Sequence, residues 1–146
     1  MRISLCNEVV RDLEFPAQCA LAAALGYDGL EVAPFTLDAD APHLLPAARR
    51  AALRRAAADA GIAITSLHWL LVAPAGLSIT SADAALRART LDVMERLVGL
   101  AADLGAGLLV HGSPGQRQVS APGDATRAEE AMAQAGAWAA AHGVTY

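Results

Sequence analysis

Four glycines close four apolar segments in the same way, and that recurrence constrains the fold more than any other feature of the chain. Gly26, Gly61, Gly105 and Gly143 each follow an alanine- and leucine-rich stretch and lead within a few residues into a short aliphatic run. Their spacing of about 40 residues is that of a repeated supersecondary unit. Glycine just past the last periodic residue is a helix stop signal, and a short aliphatic run bounded by turn residues reads as a buried strand. Each unit is therefore helix, tight turn, strand. Units of this kind build a parallel sheet with helical crossovers.

In chain order the predicted strands are residues 2–6, 29–33, 62–69 and 108–112, and residues 144–146 begin a fifth. The predicted helices open at Phe15-Pro16, at Pro46, at a capping Ser81 and near Ala125. Leu86, Thr90, Val93, Leu97, Ala101 and Leu104 recur three or four apart and mark the buried face of the third. In the fourth, Met132, Ala135 and Trp138-Ala139 are the candidates for a buried stripe. Turns from helix to strand are short, whereas those from strand to helix are long. The spare chain thus gathers where the strands end, and ligands of parallel α/β folds collect there.

The residues at those ends carry chemistry. The first strand delivers Asn7 and Glu8, the second Glu31, the third His68 and Trp69, and the fourth His111 and Ser113 with Gln116 and Arg117 behind them. Glu31 lies in the apolar phrase Leu30-Glu31-Val32, where a carboxylate must be paired or face a polar pocket. Neighbouring parallel strands lie about 4.8 Å apart, so His68 and His111 are expected within joint reach of one metal or one substrate.

Composition narrows the partners. The 146 residues suffice for one domain with a real core, and a formal charge of −4 gives no basic footprint for nucleic acid. The pairs Arg49-Arg50 and Arg54-Arg55 read as the solvated face of an alanine-rich helix. No apolar run reaches the roughly 18 residues of a membrane span. Residues 1–5 lack a signal-peptide pattern, and Cys6 and Cys19 have neither finger nor redox spacing. They are expected to be reduced, half-buried thiols of a cytoplasmic protein. Gly112–Arg117 lacks the Lys-Ser/Thr ending of a P-loop, Gly105-Ala106-Gly107 precedes a strand where a dinucleotide fingerprint would follow one, and Ser113 lacks the G-x-S-x-G elbow.

Two phrases carry a family resemblance. Leu25-Gly26-Tyr27-Asp28-Gly29-Leu30-Glu31-Val32, with Ile3-Ser4-Leu5-Cys6-Asn7-Glu8 before it, resembles the xylose-isomerase-like TIM-barrel superfamily. That group includes sugar and sugar-phosphate isomerases and epimerases, hydroxypyruvate isomerases and endonuclease IV. His68 and the loop His111–Arg117 are similar to the sugar-phosphate isomerase/epimerase branch. The resemblance implies half of a (β/α)8 barrel, with residues 1–146 as its amino-terminal half, because a complete barrel has eight βα units and about 250 residues. It implies a small hydroxy-carbonyl substrate, a sugar or sugar phosphate. Glu31, His68, Trp69, His111, Gln116 and Arg117 would line half of the pocket.

A divalent metal (Mn, Mg, Co or Zn) is implied as well. In endonuclease IV-like members, histidines at the positions of His68 and His111 bind metal. In epimerase-like members the metal is held by acidic residues and a histidine of strands five to eight, two of whose carboxylates also move the proton. The chain stops at Tyr146, so no tightly held metal and no turnover by residues 1–146 alone are expected. Weak zinc binding is expected to depend on His111. Open strand edges and an apolar concave face are expected to drive self-association. The alternative from another class is a non-catalytic half-barrel that self-associates or binds a small ligand. An open doubly wound sheet is the other architecture; Asn7-Glu8 in place of a phosphate-binding first loop counts against it.

Overall fold

Leu30 and Val32 are fully buried whereas Glu31 between them is only half-buried, so the second strand separates an apolar face from a polar one. The other strands repeat the division. In the computed structural model, which describes residues 1–146, β1 (Ser4–Cys6), β2 (Gly29–Val32), β3 (Ala63–His68) and β4 (Leu108–Val110) form one parallel sheet in the order β1-β2-β3-β4. Between them run α1 (Phe15–Ala24), α2 (Ala47–Asp59) and α3 (Ala84–Leu104), and α4 (Asp124–Ala141) follows. Strictly sequential strand order removes the doubly wound alternative, in which the order reverses at a switch point. It is the order of a barrel wall. Thr145 bridges Leu108 in parallel, placing the start of a fifth strand beside β4.

One sheet face meets the helices. Leu30, Val32, Ile64, Leu67 and Leu109 join Leu53, Ala57, Val93, Met94, Leu97, Ala101, Ala131, Ala135 and Ala139 in a single core. Burying a side chain such as Leu97 contributes about 1.5–3 kcal/mol. Small alanines let α2 approach β3 closely and α4 approach α3. On α4 the stripe is Ala131, Ala135 and Ala139, with Met132 and Trp138 packed at its edge. Gly26, Gly61, Gly105 and Gly143 all take positive φ, which glycine tolerates and which turns each helix end into the next strand. The cap of α3 is Asp83 and not Ser81. The Asp83 carboxylate accepts from the Ala85 and Leu86 amides, and the Ser81 hydroxyl accepts from the Asp83 amide. A residue two places nearer the helix reaches the orphan amides that Ser81 cannot.

The opposite, concave face differs from its expected apolar character. Ser4, Cys6, Glu31, Thr65, Ser66 and His68 occupy it, and the Ser4 hydroxyl meets that of Thr65 at 2.9 Å. Leu108 and Val110, 43% and 40% exposed, are the large apolar side chains there. Gly29 is required at its place. A Cβ would lie 2.5 Å from the Ala63 carbonyl oxygen and 2.7 Å from the Thr65 methyl.

An irregularity in β3 positions the site. Register runs Gly29 to Ala63 and Leu30 to Ile64, then slips so that Glu31 lies beside Ser66 and Val32 beside Leu67. A one-residue slip reverses which side chains face which side. Here it turns Leu67 into the core and His68 onto the face of Glu31. The long strand-to-helix segments, residues 7–14, 33–46, 69–83 and 111–123, all lie at the strand ends as expected.

Candidate active site

The turn after β1 is fixed first. Asn7 is fully buried: its side-chain oxygen accepts from the Ala33 amide at 2.9 Å, and its amide group donates to Thr36 at 2.7 Å and to Gln18 at 3.3 Å. This anchor holds the residues on either side, Cys6 and Glu8, against the end of β3. Glu8 Oε2 lies 3.0 Å from His68 Nε2, and Glu31 Oε2 lies 3.1 Å from His68 Nδ1. The Ser66 hydroxyl donates to Glu31 Oε1 at 3.1 Å. Cys6 Sγ sits 3.6 Å from His68 Nε2 and 3.5 Å from Glu8 Oε2. The imidazole is thus gripped on both nitrogens. Its side chain is 8% exposed, against 29% for Glu8 and 32% for Glu31, so the carboxylates form the open side.

An ionised carboxylate only accepts hydrogen bonds, so both contacts are satisfied together when both ring nitrogens carry protons. The two contacts join Glu8, His68 and Glu31 into one hydrogen-bonded Glu–His–Glu relay on one face. Burial and the two nearby carboxylates push the Cys6 thiol up from its ordinary range, which keeps it protonated beside them.

His111 stands in a different setting. Its strand neighbour Val110 pairs with His68 in register and shares the concave face, so His111, one residue further, turns away from it. Its Nδ1 meets the Tyr146 hydroxyl at 2.9 Å, and its buried Nε2 has no partner. Burial, with the Arg117 charge adding to it, pulls its pKa down to about 4. Burial likewise pushes the Tyr146 phenol upward. At neutral pH this is a neutral imidazole against a neutral phenol. His111 does not join the cluster around His68.

The rim holds the rest. Trp69, directly after His68, is 43% exposed and takes a φ of 54°, a left-handed conformation that costs a bulky residue energy and that the surrounding structure must enforce. Its backbone abuts Gly112, where a Cβ would lie 3.4 Å from the Trp69 nitrogen. The Ser113 hydroxyl accepts from the Leu71 amide at 3.2 Å and ties the β3 and β4 loops together. Gln116 ends the 3-10 turn Pro114–Gln116, and its carbonyl accepts from Ile79 at 2.9 Å. Arg117 is exposed and forms no ion pair.

Of the strand-end residues the sequence marks, Glu8 and Glu31 therefore meet His68 directly, while Trp69, His111, Gln116 and Arg117 border the same end of the sheet. The sequence marks Cys6 only as a reduced thiol and Tyr146 only as part of a strand. Cys6, two residues before Glu8 at a strand end, was a legible signal; the Tyr146 contact was not. Both cysteines are free, though Cys19 is fully buried and not half-buried. The dibasic helix face behaves as expected: Arg49, Arg54 and Arg55 are exposed, and Arg50 pairs with Asp103 at 2.9 Å.

A family model described as xylose isomerase-like TIM barrel matches residues 19–146. The chain belongs to that family. No curated protein matches it in sequence. Among solved structures, the fold of this family member is similar to that of a D-psicose 3-epimerase determined in the presence of D-fructose, at 23% identity and a TM-score of 0.75. That match covers 99% of this chain and 50% of the epimerase. A 3-keto-D-glucoside 4-epimerase from E. coli matches at 16% identity and a TM-score of 0.73, over 99% of this chain and 54% of that one. A sugar phosphate isomerase/epimerase from Parabacteroides distasonis matches at 18% identity and a TM-score of 0.66, over 98% and 49%. The chain thus spans about half the length of these structures, and at such identities the likeness establishes the fold: half of a TIM barrel. No helix is long and apolar enough to cross a membrane.

Proposed function

We propose that residues 1–146 are the amino-terminal half of a barrel enzyme that isomerises or epimerises a sugar or sugar phosphate. The observation that carries this reading is the Glu8–His68–Glu31 relay, set at the strand ends on the face that would become the barrel interior. Moving a proton on a hydroxy-carbonyl compound needs a base within hydrogen-bond reach of the carbon-bound proton and a charge to stabilise the enediolate. The relay supplies hydrogen-bonding and positioning groups for substrate oxygens. Trp69, exposed beside it, offers an apolar surface for the carbon chain. His111, Gln116 and Arg117 border the far side, Arg117 as the cation for any phosphate. The sugar epimerases of the same fold support this class of substrate.

The divalent metal that the resemblance implies belongs to carboxylates and a histidine of strands five to eight. Residues 1–146 contain none of those strands beyond the bridge at Thr145. Residues 1–146 alone should then epimerise no ketohexose, and co-expression with a fragment beginning after Tyr146 from the parent gene, if one exists, should restore turnover. Robust turnover by the isolated half, abolished in Glu31→Gln, would defeat this reading and make Glu31 the base.

A second reading, self-association, rests on the exposed Leu108 and Val110 and on the free outer edge of β1. Dimers or larger species are expected by light scattering at high micromolar concentration. A clean monomer there would exclude it.

A further inference from the structure

We propose that Cys6, Glu8 and His68 form a site for a divalent transition metal of the zinc class, with three protein ligands and one open position. The set lies on β1, the turn after it and β3. It is distinct from the strand-five-to-eight set implied by the resemblance, and it does not use His111. It shares Glu8 and His68 with the relay proposed above, the metal replacing the proton on His68 Nε2, and its test reads metal binding without sugar turnover.

The geometry carries the assignment. Sγ, Oε2 and Nε2 form a triangle with sides of 3.5 Å (Cys6 to Glu8), 3.6 Å (Cys6 to His68) and 3.0 Å (Glu8 to His68). All three atoms lie within the span a single ion can bridge. Tetrahedral zinc with ordinary bond lengths places sulfur about 3.6 Å from a nitrogen or oxygen ligand, and nitrogen about 3.4 Å from oxygen. The three side chains already outline one face of that tetrahedron. Closing the site requires the Glu8–His68 edge to open by a few tenths of an ångström, which the half-exposed Glu8 can absorb.

The surroundings are those of a metal ligand set. His68 would bind through Nε2 while its Nδ1 faces the Glu31 carboxylate at 3.1 Å, and Glu31 is itself held by Ser66. A carboxylate on the far nitrogen fixes the tautomer and raises the basicity of a ligating histidine. Asn7, buried between Cys6 and Glu8 with three side-chain hydrogen bonds, fixes the backbone from which both ligands project. Thiolate, imidazole and carboxylate together favour zinc or cobalt over magnesium or calcium. In the metal-free chain Cys6 is kept protonated by burial and by neighbouring carboxylates. A cation reverses that balance: the metal–sulfur bond forms, the S–H bond breaks, and the proton leaves to solvent. Affinity should therefore fall as pH falls. The open position, on the exposed side of Glu8, would take water or a ligand oxygen.

The test titrates the metal-stripped 146-residue chain with Zn2+ by calorimetry and with Co2+ by absorption. One equivalent should bind, and Co2+ should develop a thiolate charge-transfer band in the near ultraviolet. Cys6→Ser should abolish the band, whereas Cys19→Ala should retain it. Glu31→Gln should keep the band but weaken Zn2+ binding by about 10–100-fold, the usual cost of losing an outer partner. His68→Ala and Glu8→Gln should weaken it further. Far-ultraviolet circular dichroism checks folding, and the isosteric Glu8→Gln and Glu31→Gln carry the test if Cys6→Ser fails to fold. The proposal is overturned by no stoichiometric binding, by a band that survives Cys6→Ser, or by binding that depends on His111 and not on His68. Equal displacement of Co2+ by Mg2+ would also overturn it.

Discussion

His68 and His111 end adjacent parallel strands, yet their environments are opposite. His68 has a carboxylate on each nitrogen, at 3.0 and 3.1 Å, and a thiol beside it. His111 has a phenol on one nitrogen, no partner on the other, and a guanidinium nearby that helps hold it neutral. Sheet register makes the difference. His68 aligns with Val110, so successive residues at the two strand ends face opposite ways and only one imidazole reaches the concave face. A histidine at a strand end is thus no sufficient mark of a shared site; which residue it pairs with across the ladder decides its chemistry.

The strongest way to break this contrast is kinetic. In a reconstituted barrel, His68→Ala is expected to lower kcat by about 10²–10⁴-fold, the range for losing an acid–base or polarising group. His111→Ala is expected to lose far less, because its ring turns away from the concave face towards Tyr146 and its buried Nε2 meets no partner. Equal losses at the two positions, measured at saturating substrate, would erase the distinction.

Stability against pH sharpens it next. The folded pKa of His111 is depressed to about 4 from an ordinary 6.5, so the unfolded chain binds more protons between those values. Stability should therefore be full above about pH 6.5 and fall as pH drops towards 4, by on the order of 3 kcal/mol from this group. Urea unfolding at pH 7, 5.5 and 4 measures it, and His111→Asn should flatten the slope. An unchanged slope would place the proton elsewhere.

Two smaller effects concern the partners. Tyr146→Phe removes the one hydrogen bond to His111 Nδ1 and should cost about 1 kcal/mol, read as a shift in urea midpoint at constant m-value. Trp69→Asn should change stability by less than about 1 kcal/mol, because asparagine tolerates the left-handed backbone better than tryptophan. The same change should weaken ketose binding to the reconstituted barrel. Unchanged binding would remove Trp69 from the pocket.

Much of this was legible in residue order alone. The glycine stops, the aliphatic runs and the uneven turns specify four βα units, because helix termination and strand burial depend on local chain chemistry. Glu31 announced itself as the carboxylate in an apolar strand. The slip in β3 was only faintly visible, as Ile64 and Leu67 spaced three apart where regular alternation would separate core residues by two. Sequence by itself determined the repeat, the fold class and the placement of Glu31, His68 and Trp69 at strand ends. Only the tertiary structure decided that Cys6 and Glu8 close around His68, that His111 turns to Tyr146, and that the concave face is polar. Those outcomes depend on register between segments far apart in the chain, and a one-residue slip reverses them without altering any local preference.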